Sequence, residues 1–200
     1  MPSPLAPLLK GDDEGNVRLV IWGNSGAGKS TLAKRLAVAL PQLKVIAMDD
    51  LLFNDGWVKT PPDEFDANLH RLTTENDSWV TDGNYLKRRH GYLPRATDII
   101  WLDWPLHITL WRLLKRTWQR WWTSELLFGT SDVREDWRVT LFSRESIIWW
   151  CLTRHRPVRR ELSQILRDEP DLSAIFNRRF TSPSELEQWI AAIEEEQKGR

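Results

Sequence analysis

Short apolar runs alternate with longer amphipathic stretches along most of the chain. Four runs have the length and composition of buried strands, namely VRLVIW (17–22), KVIAM (44–48), SWVTD (78–82) and TDIIWLD (97–103). A fifth strand is predicted within 172–180. Helices are predicted over 29–40, 61–76 and 182–196, with a long helix-rich region over 105–167. Strands that alternate with helices predict an α/β fold with a parallel sheet covered on both faces.

The chain has the signals of one domain preceded by a tail. Residues 1–16 contain three prolines, two glycines and a run of acids, which predicts a flexible tail. Residues 17–200 are long enough to bury one substantial core, and we predict a single domain there. Ser182 or Ser184 is expected to cap the closing helix.

Composition narrows the class of protein. The 28 Lys and Arg balance the 28 Asp and Glu, which argues against a general nucleic-acid binder. From residue 107 to 160, however, eleven cations face five acids, a local excess that favours an anion site. The single cysteine, Cys151, fits a core position in a reducing compartment, and charges interrupt every apolar run well short of a membrane span. We therefore expect a soluble cytoplasmic protein with no membrane partner.

The stretch GNSGAGKS (23–30) fits the pattern G-x-x-x-x-G-K-[ST] and stands between a predicted strand and a predicted helix. Glycines at these positions let successive backbone N–H groups point at phosphate oxygens, and the helix adds its positive end. Lys29 is expected to reach the β and γ phosphates of ATP, and the Ser30 hydroxyl to bind Mg²⁺. The predicted nucleotide-binding residues are Gly23, Asn24, Ser25, Gly26, Ala27, Gly28, Lys29, Ser30 and Thr31.

Acidic residues follow three of the predicted strands. In an open parallel sheet the ligand lies at the carboxyl ends of the strands, so these acids are candidates for the site. Asp82 or Asp103 is expected near Mg²⁺, and Asp103 has the alternative of capping the helix that follows Pro105. Asp49 and Asp50 are expected to end the second strand and to orient a hydroxyl acceptor or take its proton.

Three segments, together with the phosphate loop, resemble a known family; they are IAMDDLLFNDGWVKTPPDEFDANL, DSWVTDGNYLKRRHGYLPRATDIIWLDWP and LWRLLKR. The chain resembles the small P-loop proteins called FlaR-like DNA topology modulation proteins, which are related to adenylate kinase and other nucleoside monophosphate kinases. The resemblance is close over residues 17 to about 120. It implies a P-loop NTPase fold with five parallel strands in the order 2-3-1-4-5 and helices on both faces. It also implies an acceptor-binding segment at 51–77 and a helical lid region at 106–167.

The resemblance bears on two of the candidate sites. In the order 2-3-1-4-5 the third strand lies beside the first, which favours Asp82 over Asp103 as the acid near Mg²⁺. Asp82 and Gly83 occupy the place of the Asp-Gly in the adenylate kinase motif that continues with Phe, Pro and Arg. Here Asn and Tyr follow, and the phosphate-binding arginine of that motif is absent at its usual offset. Arg88 or Arg89 is its alternative, as is a solvated basic turn, and the departure argues against AMP as the acceptor.

The stretch WRLLKRTWQRWW (111–122) combines four tryptophans with four cations. At about 100° per residue the cations fall on one arc of a helix and the apolar residues on the other. We predict that the tryptophans pack against the domain, while Arg112 and Arg116, with Arg120, form a row that clamps phosphate. The alternatives are a membrane-surface helix, a single-stranded nucleic-acid site and a solvated row without function. Separation of the aromatic residues from the cations argues against the nucleic-acid site.

The remainder of the lid region contains further candidate residues. One or two of four arginines are expected to reach the phosphates on closure, and these are Arg134, Arg138, Arg144 and Arg154. Nine of the 13 tryptophans lie between 101 and 150, which predicts either a separate apolar core or a homodimer contact in this region.

Taken together, the motifs predict an ATP:Mg²⁺-dependent phosphotransferase that acts on a small molecule, either a nucleotide or a nucleoside. Five residues are the predicted catalytic set, namely Lys29, Asp49, Asp50, Arg112 and Arg116, and the predicted metal ligands are Ser30 and Asp82. The alternative function is that of a P-loop nucleotide-binding regulator, or slow ATPase, that contacts nucleic acid.

Overall fold

A computed structural model describes residues 8–54, 58–123, 147–169, 172 and 175–199 of the chain. Its strands are β1 (Arg18–Gly23), β2 (Lys44–Ile46), β3 (Phe53–Asn54), β4 (Val58–Lys59), β5 (Trp79–Thr81), β6 (Asp98–Leu102) and β7 (Phe176–Phe180). Its α-helices are α1 (Lys29–Ala39), α2 (Met48–Leu52), α3 (Pro62–Glu75), α4 (Leu106–Thr123), α5 (Ile147–Asp168) and α6 (Pro183–Lys198). Two short 3₁₀ helices span Leu86–Gly91 and Leu93–Arg95.

The main sheet has five strands in the order β2-β5-β1-β6-β7, and every pair in it is parallel. Counted along the chain within this sheet, the order is 2-3-1-4-5, so the predicted fold class and strand order are confirmed. The apolar runs of β1 and β6 are buried along almost their whole length, as expected for central strands of a parallel sheet. Because all five strands run the same way, the residues that follow β1, β2 and β5 meet at one edge of the sheet.

Local chemistry explains where several elements begin. Pro62 opens α3, Asp63 and Glu64 follow in its first turn, and this placement favours a helix start. The closing helix α6 is capped by Ser182, whose hydroxyl accepts a hydrogen bond from the amide of Glu185. Of the two predicted caps, Ser182 is therefore the one used.

The second strand is shorter than its sequence predicted. It ends at Ile46, and the residues that follow turn into the short helix α2, so Asp49 and Asp50 lie in the first turn of a helix and not at the end of a strand. Acids are stabilised at this position because they face the positive end of the helix. Met48 is fully buried at the start of α2. The two-residue strands β3 and β4 form a small antiparallel pair that the sequence pattern did not indicate.

The chain divides into two compact units. The sheet unit comprises Met1–Gly23, Gly28–Leu102 and Glu169–Arg200, and the helical unit comprises Asn24–Ala27 and Asp103–Asp168. The core of the sheet unit contains the fully buried rings of Trp22, Trp79 and Phe65. In the helical unit, α4 and α5 pack together, and Leu113 and Leu162 are among their buried side chains.

The described part of the predicted N-terminal tail is hydrogen-bonded within the sheet unit. The amides of Lys10 and Gly11 donate to the two carboxylate oxygens of Asp98 at 2.7 and 3.0 Å. The indole of Trp189 donates to the carbonyl of Leu8 at 3.0 Å. Among the helices in the described ranges, none is long and apolar enough to cross a membrane.

Candidate functional site

The phosphate loop begins where β1 ends. The amide of Gly23 donates to the side-chain oxygen of Asn84 at 3.0 Å, and the Lys29 ammonium donates to the Gly23 carbonyl at 3.0 Å. Gly28 precedes α1 in the left-handed conformation, with φ of 92°, and no side chain in the described residues caps this helix. The amides at the start of α1 and the Lys29 ammonium are thus gathered at one place, which is the arrangement an anion requires.

Ser30 and Thr31, the next predicted nucleotide-binding residues, both lie exposed in the first turn of α1. Ser30 and Asp82 are the predicted ligands of Mg²⁺. Within the described ranges, no cluster of three or more His, Cys, Asp or Glu could hold a metal ion. Mg²⁺ commonly keeps several waters and takes only one or two protein ligands beside substrate phosphates. A hydroxyl and a carboxylate therefore fit a Mg²⁺ that arrives with a nucleotide.

The middle of the phosphate loop, residues 24–27, lies within the helical unit. The carbonyl oxygen of Ala27 accepts two hydrogen bonds, one from the indole of Trp104 at 2.7 Å and one from the guanidinium of Arg112 at 3.0 Å. The Arg112 guanidinium also lies 5.6 Å from the centre of a Trp104 ring. Trp104 and Arg112 thus both help to hold the Ala27 carbonyl group in place.

Gly26 is required by its surroundings as well as by its backbone. Its φ is 80°, which is unfavourable for other residues, and an added Cβ would lie 2.7 Å from Leu113 Cγ and 3.0 Å from the Thr109 carbonyl oxygen. Helix α4 therefore approaches the loop as closely as a glycine allows.

Helix α5 also contacts the middle of the loop. The amide group of Asn24 donates to the carbonyl of His155 at 3.4 Å, and the buried His155 ring lies 3.0 Å from the Trp104 carbonyl oxygen. The sulfur of Cys151 lies 3.9 Å from the carbonyl oxygen of Ser25. Burial raises the pKa of the Cys151 thiol, which agrees with a core role for this cysteine.

The two candidate acids for the metal site have different surroundings. Asp103 is almost fully buried and pairs with Arg159 at 3.0 Å, so its charge is already neutralised in the helical unit. Asp82 is half-buried in the sheet unit, directly after β5, and accepts a hydrogen bond from the Met48 amide at 3.2 Å. Asp82 remains the better candidate because its partner is a neutral amide and not a cation.

The acids predicted to contact an acceptor lie near Tyr85. Its hydroxyl donates to Asp49 at 2.6 Å. Burial raises the pKa of Tyr85 above its ordinary value, and the hydrogen bond to Asp49 and the charges of Asp49, Asp82 and Asp50 raise it further. Three predicted site acids, which follow two different strands, therefore come together around one phenol.

Arg88 and Arg89, the alternatives for the missing phosphate-binding arginine, are both paired with acids. Arg88 contacts Asp66 at 2.6 Å and lies 4.9 Å from the centre of the Phe65 ring. Arg89 forms an ion pair with Glu169. Neither pairing was evident from the sequence, because the acids lie far from the two arginines along the chain.

The buried face of α4 is not the one predicted. Leu113, Thr109 and Thr117 are buried, whereas Trp111 and Trp118 are 67% and 63% exposed. The prediction that these tryptophans pack against the domain is therefore wrong. Thr109 and Thr117 lie four residues before and after Leu113, so the three side chains share one face of the helix, and that face is the buried one.

The remaining predicted cations are distributed differently. Arg112 is half-buried against the loop carbonyl, while Arg116 and Arg154 are exposed. Three other candidates fall outside the described residues, namely Arg134, Arg138 and Arg144. Residues that sequence reasoning missed are Trp104, His155 and Arg159, since each contacts a partner far away along the chain.

A five-stranded parallel sheet in the order 2-3-1-4-5, with a phosphate loop after its first strand, defines an α/β fold of the P-loop type. The chain matches no protein-family model and no curated protein. Membership of the FlaR-like family therefore stays a prediction from the motifs.

Among solved structures, three small-molecule kinases are similar to the chain. An unliganded sugar kinase from a Janibacter species has 17% identity and a TM-score of 0.47, with 88% of this chain and 91% of that one covered. Shikimate kinase from Acinetobacter baumannii in complex with shikimate has 15% identity and a TM-score of 0.48, with 94% and 96% covered. A gluconokinase from Sinorhizobium meliloti has 15% identity and a TM-score of 0.44, with 90% and 92% covered. At these identities and TM-scores, the likeness says nothing about what this chain acts on.

Proposed function

We propose that the chain is an ATP:Mg²⁺-dependent phosphotransferase whose acceptor is a small molecule, either a nucleotide or a nucleoside. The observation that carries the proposal is the start of α1. Lys29 bonds back to Gly23, Gly28 takes the left-handed conformation, and no described side chain caps the helix. Such a site binds phosphate through amides, a helix dipole and one ammonium group.

The residues predicted to hold phosphate and metal have distinct roles in this proposal. Lys29 and the loop amides hold the phosphates, and Ser30 and Asp82 would hold Mg²⁺, which neutralises phosphate charge when it is bound. Arg112 and Arg116 are assigned to charge stabilisation, Arg112 through the loop carbonyl that it contacts. Catalysis would rest on positioning and electrostatics and not on a covalent intermediate.

The proposal is tested by measuring ATP binding and ADP formation with Mg²⁺, first without an acceptor and then with nucleosides and nucleoside monophosphates. Lys29→Ala is expected to abolish ADP formation, because it removes the cation that contacts the transferred phosphate. The exposed Lys34→Ala serves as the matched control, since it lies on the same helix outside the loop. ADP formation that survives Lys29→Ala would contradict the proposal.

A second candidate function, nucleic-acid contact through α4, is favoured by one observation. Trp111 and Trp118 are exposed on the same helix as the exposed cations Lys115 and Arg116. Aromatic rings beside cations suit single-stranded nucleic acid, whose bases stack while its phosphates pair. The test is fluorescence anisotropy with a labelled single-stranded oligonucleotide at increasing salt. Steep salt dependence that Trp111→Ala weakens would support this function, and no binding at low salt would reject it.

A further inference from the structure

Three hydrogen bonds link the start of the phosphate loop with the residues that follow β5 and β2. Gly23 donates to the side chain of Asn84, and two residues earlier Asp82 accepts from the amide of Met48. The next residue after Met48 is Asp49, which accepts from the hydroxyl of Tyr85. These residues follow the neighbouring strands β1, β5 and β2, so the sheet itself brings them to one edge.

The Tyr85 hydroxyl distinguishes Asp49 from Asp50. Both carboxylates are exposed in the first turn of α2, and the sequence gives no reason to choose between them. Tyr85 donates a short hydrogen bond to one oxygen of Asp49, at 2.6 Å, whereas Asp50 acts on the phenol through its charge. This hydrogen bond fixes one oxygen of Asp49 in place. The orientation of the Asp49 carboxylate is therefore set by Tyr85, which is itself held by its neighbours.

The backbone conformation and the ring of Tyr85 are held by neighbouring residues. Its φ of 24° is unusual for a residue other than glycine, so the surroundings must enforce it. Its ring stacks on Phe65 with 5.4 Å between centroids. Gly83 lies so close that an added Cβ would be 2.6 Å from the Tyr85 ring and 2.8 Å from Met48 Cβ. Strain that is maintained in this way is typical of a functional position.

The charges around Tyr85 disfavour an acceptor molecule that carries a phosphate group. Asp49 and Asp50 lie beside the phenol, and a phosphate dianion placed there would meet the like charges of both, whereas Asp82 is assigned to Mg²⁺ in the proposed function. The two neighbouring arginines, Arg88 and Arg89, already neutralise Asp66 and Glu169. Both arginines would therefore share their charge between these acids and a monophosphate, which weakens their attraction for it.

We propose that Tyr85 is a positioning residue that orients Asp49 as proton acceptor for a hydroxyl group, and that the acceptor molecule carries no phosphate. This inference rests on the proposed function. In the transfer, the acceptor oxygen forms a bond to the γ-phosphorus of ATP while the bond from that phosphorus to the bridging oxygen breaks. The bridging oxygen leaves with the electron pair as part of ADP, and the hydroxyl proton passes to Asp49 and from there to water. A neutral hydroxyl acceptor needs this carboxylate, whereas an anionic phosphate acceptor does not.

Water is itself a hydroxyl acceptor, so hydrolysis of Mg-ATP by the full chain tests the base without knowledge of the natural acceptor. Asp49→Asn is expected to lower ADP formation about 100-fold. Tyr85→Phe, which keeps the stacked ring, is expected to lower it about tenfold, the size of one hydrogen bond to a charged group. The Kd for ATP is expected to stay unchanged in both variants. Asp63→Asn, an exposed acid in the first turn of α3, is the matched control and is expected to retain the wild-type rate.

A double-mutant cycle separates positioning from a general structural effect. If Tyr85 acts through Asp49, Tyr85→Phe has no further effect in the Asp49→Asn background. An equal tenfold loss in both backgrounds would overturn the positioning role, and a loss in Asp50→Asn as large as that in Asp49→Asn would overturn the choice of base.

The acceptor class is tested with two matched sets, adenosine, guanosine, cytidine and uridine against their 5′-monophosphates. Any monophosphate that raises ADP formation above the rate with water would overturn the inference but leave the phosphotransferase proposal intact. A nucleoside that raises the rate while its monophosphate leaves the water rate unchanged supports the inference, whereas no stimulation by either set would contradict the proposed nucleotide or nucleoside acceptor. ATP binding without ADP formation in any of these reactions would instead contradict the proposed function itself.

Discussion

Both tyrosines of the chain place their hydroxyl groups within the sheet unit, and both are harder to ionise than a free phenol. Tyr92 is fully buried and donates to the carbonyl of Asn84 at 3.0 Å. Burial raises the pKa of Tyr92 to about 12. The pKa of Tyr85 is raised by burial first and then by its hydrogen bond to Asp49. The folded chain therefore favours the protonated form of each phenol more strongly than the unfolded chain does.

Stability is consequently expected to fall in alkaline solution. A folded-state pKa above the unfolded value means that the contribution of Tyr92 is fully present below about pH 10. It is lost as the pH rises from there through about 12. Urea unfolding at increasing pH should show this decline, and Tyr92→Phe should make it shallower because the contribution of Tyr92 is removed. Phenolate absorbance that rises in the native protein at the ordinary tyrosine pKa would contradict the expectation.

At the scale of elements, α4 shows how a helix contributes to the site through its packed face. Leu113 and Thr109 approach Gly26, and Arg112 donates to the neighbouring carbonyl of Ala27. Arg112 is half-buried there, so its guanidinium is fixed by geometry as well as by charge. If the chain binds ATP as proposed, α4 would contribute to that binding through the shape of the loop.

Arg112→Ala is therefore expected to weaken ATP binding about tenfold, since it removes a charged hydrogen-bond donor from the loop carbonyl. Arg112→Lys should recover little, because an ammonium cannot both stack on Trp104 and donate in the same plane. Calorimetric titration with ATP measures the effect. Lys115→Ala, an exposed cation on the same helix, is the control. Equal affinity in the wild type and Arg112→Ala would show that the contact is dispensable.

The helices and strands were easier to predict from the sequence than the contacts between residues. The apolar runs and the phosphate-loop pattern are local signals, and they predicted five strands and the start of α1 correctly. Helical periodicity correctly predicted an amphipathic α4 but not its buried face, which is that of Leu113 and the two threonines, while Trp111 is exposed. The partnership of Tyr85 with Asp49 joins residues 36 positions apart, and no local pattern records it.

At the scale of the whole molecule, the carboxylate of Asp98 ties the N-terminal segment to the sheet. Asp98 is 1% exposed at the start of β6 and accepts from the amides of Lys10 and Gly11 and from the hydroxyl of Thr97. A buried carboxylate is tolerated only where such donors satisfy it. The described residues before β1 are thus part of the folded unit, and Asp98 anchors them through Lys10 and Gly11.

Asp98→Asn should lower the free energy of unfolding by about 1–3 kcal/mol, because the new NH₂ group cannot accept from a backbone amide and leaves a buried donor unpaired. Urea unfolding measures the loss, and limited proteolysis should reveal earlier cleavage before residue 17. Asp13→Asn, an exposed acid in the same segment, should change neither readout. Unchanged stability in Asp98→Asn would show that the anchor is unimportant.

The two donors on the Ala27 carbonyl have an effect on the opposite side of the peptide group. In a trans peptide the C=O and the N–H point in opposite directions, so fixing the oxygen also fixes the direction of the following N–H, which is that of Gly28. Each hydrogen bond to the oxygen further polarises the amide and makes its hydrogen a stronger donor to an anion. An arginine can in this way strengthen the binding of a phosphate through a peptide bond, without touching the phosphate.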